Sequence, residues 1–264
     1  MLRYGLKMAA FIDQLYYDDE CTVGMAYGGF LGMGKSAYCI KTEAEVLGSH
    51  SGHEDNVPNY ENVKDYLDFP PKDFVDRLLK MTRREKMVIW DDMGLWLFAL
   101  DWYDPFVKAV CKYLNVARTD WAFIFGNTPS PKMIVRKIKN FPEVIRVKIT
   151  KEGSNIANPK KPRIATAYQV WMSPDLKRTG VRKIFVDTFN AIMPDDFFAW
   201  YKPKRDHYAT VAKQLMYKEL MKLEKRDKEE AVEAAGFKEV LPEPERVREL
   251  GEVITQLEGG EERF

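Results

Sequence analysis

The sequence predicts a three-layer α/β fold with a mainly parallel sheet, a β-meander extension and C-terminal helices. Three stretches lead to it. Gly29-Phe-Leu-Gly32-Met33-Gly34-Lys35-Ser36 matches G-x-x-x-x-G-K-[ST] and lies between a strand-like Thr22–Tyr27 and a helix-like Ala37–Leu47. Lys86-Met-Val-Ile-Trp90 is an apolar strand running into Asp91-Asp92. Trp121-Ala-Phe-Ile-Phe125 is another, running into Gly126-Asn127-Thr128. Strands alternating with helical patterns read as βαβ units of a parallel sheet.

The first stretch has the chemistry of a loop that wraps a nucleoside triphosphate. Its glycines let the backbone turn tightly and aim N–H groups at phosphate oxygens, and the helix that follows adds its dipole. Lys35 is placed to reach the β- and γ-phosphates and the Ser36 hydroxyl to sit on Mg²⁺. Gly29, Gly32, Met33, Gly34, Lys35, Ser36 and Ala37 form the expected nucleotide contacts. A chance match is expected in roughly one chain of this length in a hundred.

In the second stretch, a buried strand ending in paired acids is the Walker B pattern. At the C-terminal edge of a parallel sheet Asp91 orients Mg²⁺ and Asp92 polarises the attacking water. Asn127 or Thr128 ends its strand at the same edge and reads either as a sensor of the γ-phosphate and nucleophilic water or as a plain strand-to-turn transition. Strand, phosphate loop, helix, strand-Asp-Asp, helix, strand-Asn is the order of additional-strand, RecA-like P-loop ATPases, where the sensor strand separates the other two. Arg118, before the last strand, is either a finger supplied to a neighbouring copy in a ring or a cation suited to a helix C-terminus.

Around this core, residues 3–17 predict a helix, and Gly48–Pro58, with His50 and His53, a loop rather than a zinc site. A helix after Pro70-Pro71 is expected to bury Phe74, Val75, Leu78, Leu79 and Met81, and one over 104–118 to bury Phe106, Val107, Val110, Leu114 and Ala117. Stretches 143–150, 163–171 and 182–189 alternate as strands of a meander. A helix opens at Pro194, and after Pro203 a longer amphipathic one runs to about Ala235, with Tyr208, Val211, Ala212, Leu215, Leu220 and Leu223 facing the core. The resulting boundaries are a core over 1–192, a helical segment over 193–236 and an acidic tail over 237–264. In the tail Val247, Leu250, Ile254 and Leu257 have a/d spacing, so 245–257 is a candidate partner or oligomer helix.

Composition sets the outer limits. The chain of 264 residues is 45% hydrophobic and 31% charged, a globular balance. Its longest apolar run, Met93–Leu100, is too short to span a bilayer, and Met1–Lys7 lacks a signal-peptide pattern, so the cytoplasm is the expected location and no membrane partner is expected. Cys21, Cys39 and Cys111 are too scattered for a metal motif and odd in number for a disulfide framework. From Lys132 to Lys183 there are 14 Lys/Arg and three acids, a net of +11, which leaves −10 for the rest of a chain whose total is +1. That segment reads either as a surface following the phosphate backbone of DNA or as the charged outer face of a half-buried sheet.

The run Ile89-Trp90-Asp91-Asp92-Met93-Gly94, Trp102-Tyr103-Asp104-Pro105, Ala117-Arg118-Thr119, Phe123-Ile-Phe-Gly-Asn127-Thr128 and the later Met193-Pro194-Asp195, Trp200-Tyr201-Lys202 and Lys204-Arg205 resembles the DnaA-like P-loop ATPases of archaeal spindle-shaped viruses and related plasmids. The likeness covers roughly residues 22–215; its Trp-Asp-Asp and Tyr-x-x-x-Arg elements are narrower than the ATPase motifs. It implies ATP as the nucleotide and a role in replication, maintenance or packaging of a mobile element. The chain is also similar to the zonula occludens toxin-like ATPases of filamentous phages, through the acidic Walker B strand and the Arg before the sensor strand. Asp92 stands where many such ATPases have Glu, and no helix-turn-helix domain is evident. The leading expectation is a Mg²⁺-dependent ATPase acting on DNA. Two others are a small-molecule phosphotransferase, needing an acceptor site, and a nucleotide-gated assembly protein.

Overall fold

Alternation along the strands determines how the chain layers. The computed structural model describes residues 4–29, 32–48, 57–141, 143–151, 160–173 and 178–234, and divides the chain into two units, Met1–Thr210 and Val211–Phe264. His50, His53 and the 245–257 helix expected from sequence lie outside the described residues. In the first unit, β1 (Thr22–Tyr27), β2 (Leu67–Asp68), β3 (Glu85–Trp90), β4 (Trp121–Thr128), β5 (Ile145–Lys151), β6 (Arg163–Met172) and β7 (Thr179–Phe189) form one sheet in the order β2-β3-β4-β1-β5-β6-β7. The five strands from β2 to β5 pair in parallel, and β6 and β7 add antiparallel. The fold is thus the three-layer α/β architecture of P-loop NTPases, with β4 between β3 and β1 as the motif order predicts.

Successive side chains of the central strands point to opposite faces. Met87 and Ile89 of β3 and Phe123 and Phe125 of β4 join one core, while Val88, Trp90, Trp121 and Ile124 join the other. The first core is covered by α1 (Lys7–Tyr17) and α2 (Lys35–Val46), the second by α4 (Pro71–Lys80), α6 (Pro105–Tyr113) and the short α7 (Arg136–Lys139). Parallel neighbours need such crossovers, since a tight hairpin cannot join them. Trp90 stacks on Phe74 of α4 with ring centroids 4.7 Å apart, a contact worth about 0.5–1.5 kcal/mol beyond its buried area. Asp68 at the end of β2 takes a bidentate pair from Arg77, which ties α4 to the sheet edge.

Short helices α3 (Tyr60–Val63) and α5 (Met93–Trp96) link these elements, and α8 (Asp195–Ala234) closes the described chain. Three expectations change. Val75 and Leu79 face solvent, because the sheet takes only one stripe of α4, centred on Phe74. Nor does Pro203 break the last helix: α8 runs through it. An interior proline costs about 3 kcal/mol. Here that cost is opposed by aromatic packing on both sides, with Phe197 and Tyr201 before the proline and Tyr208 after it, the latter two rings against Phe69. In the second unit Leu215, Leu220 and Leu223 are exposed rather than buried.

Glu43 is the costly residue of α2. It is fully buried, and neither carboxylate oxygen has a hydrogen-bond partner among the described residues. Burial pushes its carboxyl well above the usual range; Arg77 pulls it down and Glu85 raises it further. A raised folded pKa stabilises below the unfolded value, and that stability is lost as pH rises toward the folded one. Glu43→Gln is therefore expected to melt about 2–4 °C above the parent at pH 8, with the gap closing toward pH 5, as thermal unfolding at the two pH values will show.

Candidate functional site

Four chain segments meet at the C-terminal edge of the parallel strands. β1 ends at Tyr27 and passes through the glycine loop into α2; Phe30 and Leu31 of the loop lie outside the described residues. Gly32 and Gly34 have φ of 74° and 93°, a left-handed conformation that side chains resist. Gly34 caps α2 with no side-chain hydrogen bond, so the first N–H groups of that helix stay available to an anion. Behind the loop lies Arg163 of β6, only 2% exposed, whose Nε donates to the Met33 carbonyl at 2.9 Å. A Cβ on Gly34 would come within 2.8 Å of the Arg163 side chain. Arg163 thus anchors the Met33 carbonyl of the loop. Its Nη1 also donates to the Lys161 carbonyl at 2.9 Å.

On the other side of the loop β3 delivers Asp91 and Asp92. Asn127 of β4 joins them to α2: its Nδ2 donates to Asp91 Oδ1 and, at 3.1 Å, to Ser36 Oγ, while its Oδ1 accepts the Asp92 N–H at 3.2 Å. The second carboxylate oxygen of Asp91 accepts the Tyr201 hydroxyl of α8 at 2.7 Å. Asp91 and Asn127 are buried, whereas Asp92 reaches solvent. Asp92 has φ of 50°, a conformation uncommon outside glycine, which turns the chain away from the strand axis directly after Asp91.

Charge is concentrated here. Partial desolvation and the neighbouring Asp91 push the Asp92 carboxyl up to about 6, against the pull of Arg205 and Lys35. Desolvation lowers the Lys35 ammonium, with Arg205 acting in the same direction and the two carboxylates opposing. The Tyr201 hydroxyl is held well above its usual range by burial and by Asp91. A carboxylate near neutrality beside a half-buried lysine is suited to taking a proton from water.

Of the residues singled out from sequence, Gly32, Met33, Gly34, Lys35, Ser36 and Ala37 lie on the loop and first turn of α2, and Asp91, Asp92 and Asn127 meet beside them. Thr128 does not join them, because its hydroxyl donates to the Ser130 carbonyl at 3.1 Å. Arg118 is not brought to this site. It precedes β4, at the opposite edge of the sheet, and pairs with Asp19 at 3.2 Å. The six residues of β1 alone separate the two edges by about 20 Å. The basic segment is spread too. Lys148 and Lys183 lie on open strand surface and Arg182 hydrogen-bonds Gln169, but Arg163, expected on the polar face, is buried behind the phosphate loop. Tyr201, Arg205 and Arg163 were absent from the site expected from sequence; only the four-residue spacing of Tyr201 and Arg205 hinted that they share a helix face.

No protein-family model matches the chain. It is 25% identical over 185 residues to "Uncharacterized protein B-251" of Sulfolobus spindle-shape virus 1, covering 68% of this chain and 72% of that protein. The N-terminal domain of zonular occludens toxin from Neisseria meningitidis aligns with a TM-score of 0.38 at 14% identity, over 68% of this chain and 98% of that one.

Removing the Arg163 guanidinium leaves the buried Met33 carbonyl unpaired. Arg163→Met is expected to lower stability by about 1–3 kcal/mol, read as a fall in the urea midpoint at unchanged slope.

Proposed function

We propose that the chain is a Mg²⁺-dependent ATPase coupled to DNA transactions of a virus or plasmid, such as replication initiation, loading or genome packaging. The observation that carries the ATPase reading is the Asn127 carboxamide, which joins the Ser36 hydroxyl of the phosphate loop to the Asp91 carboxylate of the neighbouring strand. The loop N–H groups and Lys35 bind the phosphates. Ser36 and Asp91 offer two hard oxygen donors on one side of the loop, a set that fits Mg²⁺. No described cluster of three or more acidic, His or Cys side chains could hold a metal unaided. That is in keeping with an ion shared between one or two protein oxygens and substrate phosphates. When bound, the ion supplies charge to offset that of the β- and γ-phosphoryl oxygens.

Asp92 accepts a proton from a water that attacks the γ-phosphorus. The bond to the β–γ bridging oxygen breaks and ADP and inorganic phosphate result. Asn127 fixes the Asp92 backbone through its N–H and thereby sets where the base stands. DNA coupling is supported by the +11 segment, with Lys148 of β5 and Lys183 of β7 exposed, and the viral setting by the similarity to a protein of a spindle-shaped virus. No described helix is long and apolar enough to cross a membrane.

Lys35→Ala is expected to reduce kcat/KM for ATP by about 10²-fold or more, whereas Asp92→Asn keeps nucleotide affinity and loses about 10²–10⁴ in kcat. Steady-state hydrolysis with nucleotide titration checks both; wild-type turnover in the two variants sinks the ATPase reading. For the DNA part, hydrolysis should rise with added DNA at 50 mM salt and fall back at 200 mM, and Lys148→Glu with Lys183→Glu should abolish the response. Absence of DNA binding at low salt removes that part and leaves the hydrolytic site standing.

A further inference from the structure

The sheet face that carries the second core continues past it onto the meander. Val23 and Met25 of β1 and Val144, just before β5, belong to that core, and Val170 of β6 packs against it. Side chains two residues apart share a face, so Tyr27, Arg146, Lys148 and Tyr168 lie on the same side. Strand register then aligns them in rows. Arg146 of β5, Tyr168 of β6 and Lys183 of β7 stand opposite one another across three strands, and Tyr27 at the end of β1 stands opposite Lys148. Neighbouring strands lie about 5 Å apart, so a cation flanks Tyr168 on each side at that spacing, and Lys148 follows Arg146 by about 7 Å along β5.

This face is open to solvent at Lys148, at Lys183 and at Val181, the residue opposite Val170. Tyr27 and Tyr168 are half-buried. Arg146 marks the border with α7, where its Nη2 donates to the Lys139 carbonyl at 2.9 Å. Among the described residues no carboxylate pairs with Arg146, Lys148 or Lys183, and none stands in these rows. Charge alone would suit any polyanion; the aromatic rings narrow the choice. In a duplex each base is stacked between its neighbours and its face is closed to a side chain. In a single strand the bases can lie against aromatic rings while cations follow the backbone.

We propose that this face binds single-stranded DNA, with bases stacked on Tyr168 and Tyr27 and phosphates held by Arg146, Lys148 and Lys183. This rests on the DNA reading above and adds to it the form of the DNA and two aromatic contacts. β6 also carries Arg163, so the strand that holds the bases is the one hydrogen-bonded to the Met33 carbonyl of the phosphate loop.

The test uses the full chain and fluorescence anisotropy with a labelled oligo-dT of about 20 nucleotides and a duplex of the same length, at 50 mM and 200 mM salt. The parent should bind the single strand about tenfold or more tighter than the duplex. Tyr168→Ala should weaken the single strand about tenfold, leave the duplex within about twofold and keep the salt slope; Tyr168→Phe, which retains the ring, should bind as the parent does. Lys148→Ala should instead flatten the salt slope by about 0.7, the share of one phosphate contact on a single strand. Tyr168→Leu, which keeps much of the bulk without the ring, serves if the alanine variant does not fold. A duplex affinity equal to or above that of the single strand, or the parent's affinity in Tyr168→Ala and Tyr168→Leu, overturns the proposal and leaves the DNA reading standing. Binding of neither form at 50 mM salt overturns both.

Discussion

The Asn127 carboxamide is the constraint on which the site depends. Its orientation is dictated by its neighbours: a carboxylate requires a donor on one side and the Asp92 N–H requires an acceptor on the other. With both satisfied, the second Nδ2 hydrogen points at Ser36 Oγ, 3.1 Å away on a different element. One buried amide thus sets the separation of α2 from β3. It can do so because the sheet order places β4 between β1 and β3, with Trp90 beside Gly126 and Ala26 beside Asn127. A strand order with β1 and β3 adjacent would leave no place for such a bridge.

Around that bridge, burial is used to hold charge rather than to exclude it. Asp91 has both oxygens occupied by neutral donors, Asn127 and Tyr201. Neutral donors stabilise a carboxylate without cancelling its charge, so Asp91 remains able to attract a cation. Arg163 performs the converse task behind the loop. Its guanidinium holds the Met33 backbone carbonyl, and that hydrogen bond places β6 in contact with the glycine turn. The meander is therefore structurally part of the glycine-loop site as well as a carrier of surface charge.

Much of this was legible in the sequence because it is local. The phosphate loop, the Asp91-Asp92 strand end and the Asn127 strand end each occupy fewer than ten consecutive residues, and their order along the chain implies their order in the sheet. Other features were hidden because they depend on contacts distant in sequence. Tyr201 meets Asp91 across 110 positions and Arg163 meets Met33 across 130, and neither spacing leaves a periodic trace. Val75 and Leu79 lie on an apolar stripe of α4 wider than the sheet can cover. Pro203 reads as a helix break because the rule is local, whereas the rings of Tyr201 and Tyr208 that hold α8 against Phe69 are brought there by tertiary packing.

If the bridge makes one site from two motifs, Ser36 and Asp91 must serve the same ion. The direct measurement is the Mg²⁺ dependence of ATP hydrolysis in the parent, Ser36→Ala, Asp91→Asn and the double variant. Each single change is expected to raise the Mg²⁺ midpoint, and the double variant to be little worse than the more severe single one, since the second loss falls on an ion already poorly held. Midpoints that multiply as independent factors, or a single variant with the parent's midpoint, would contradict the account.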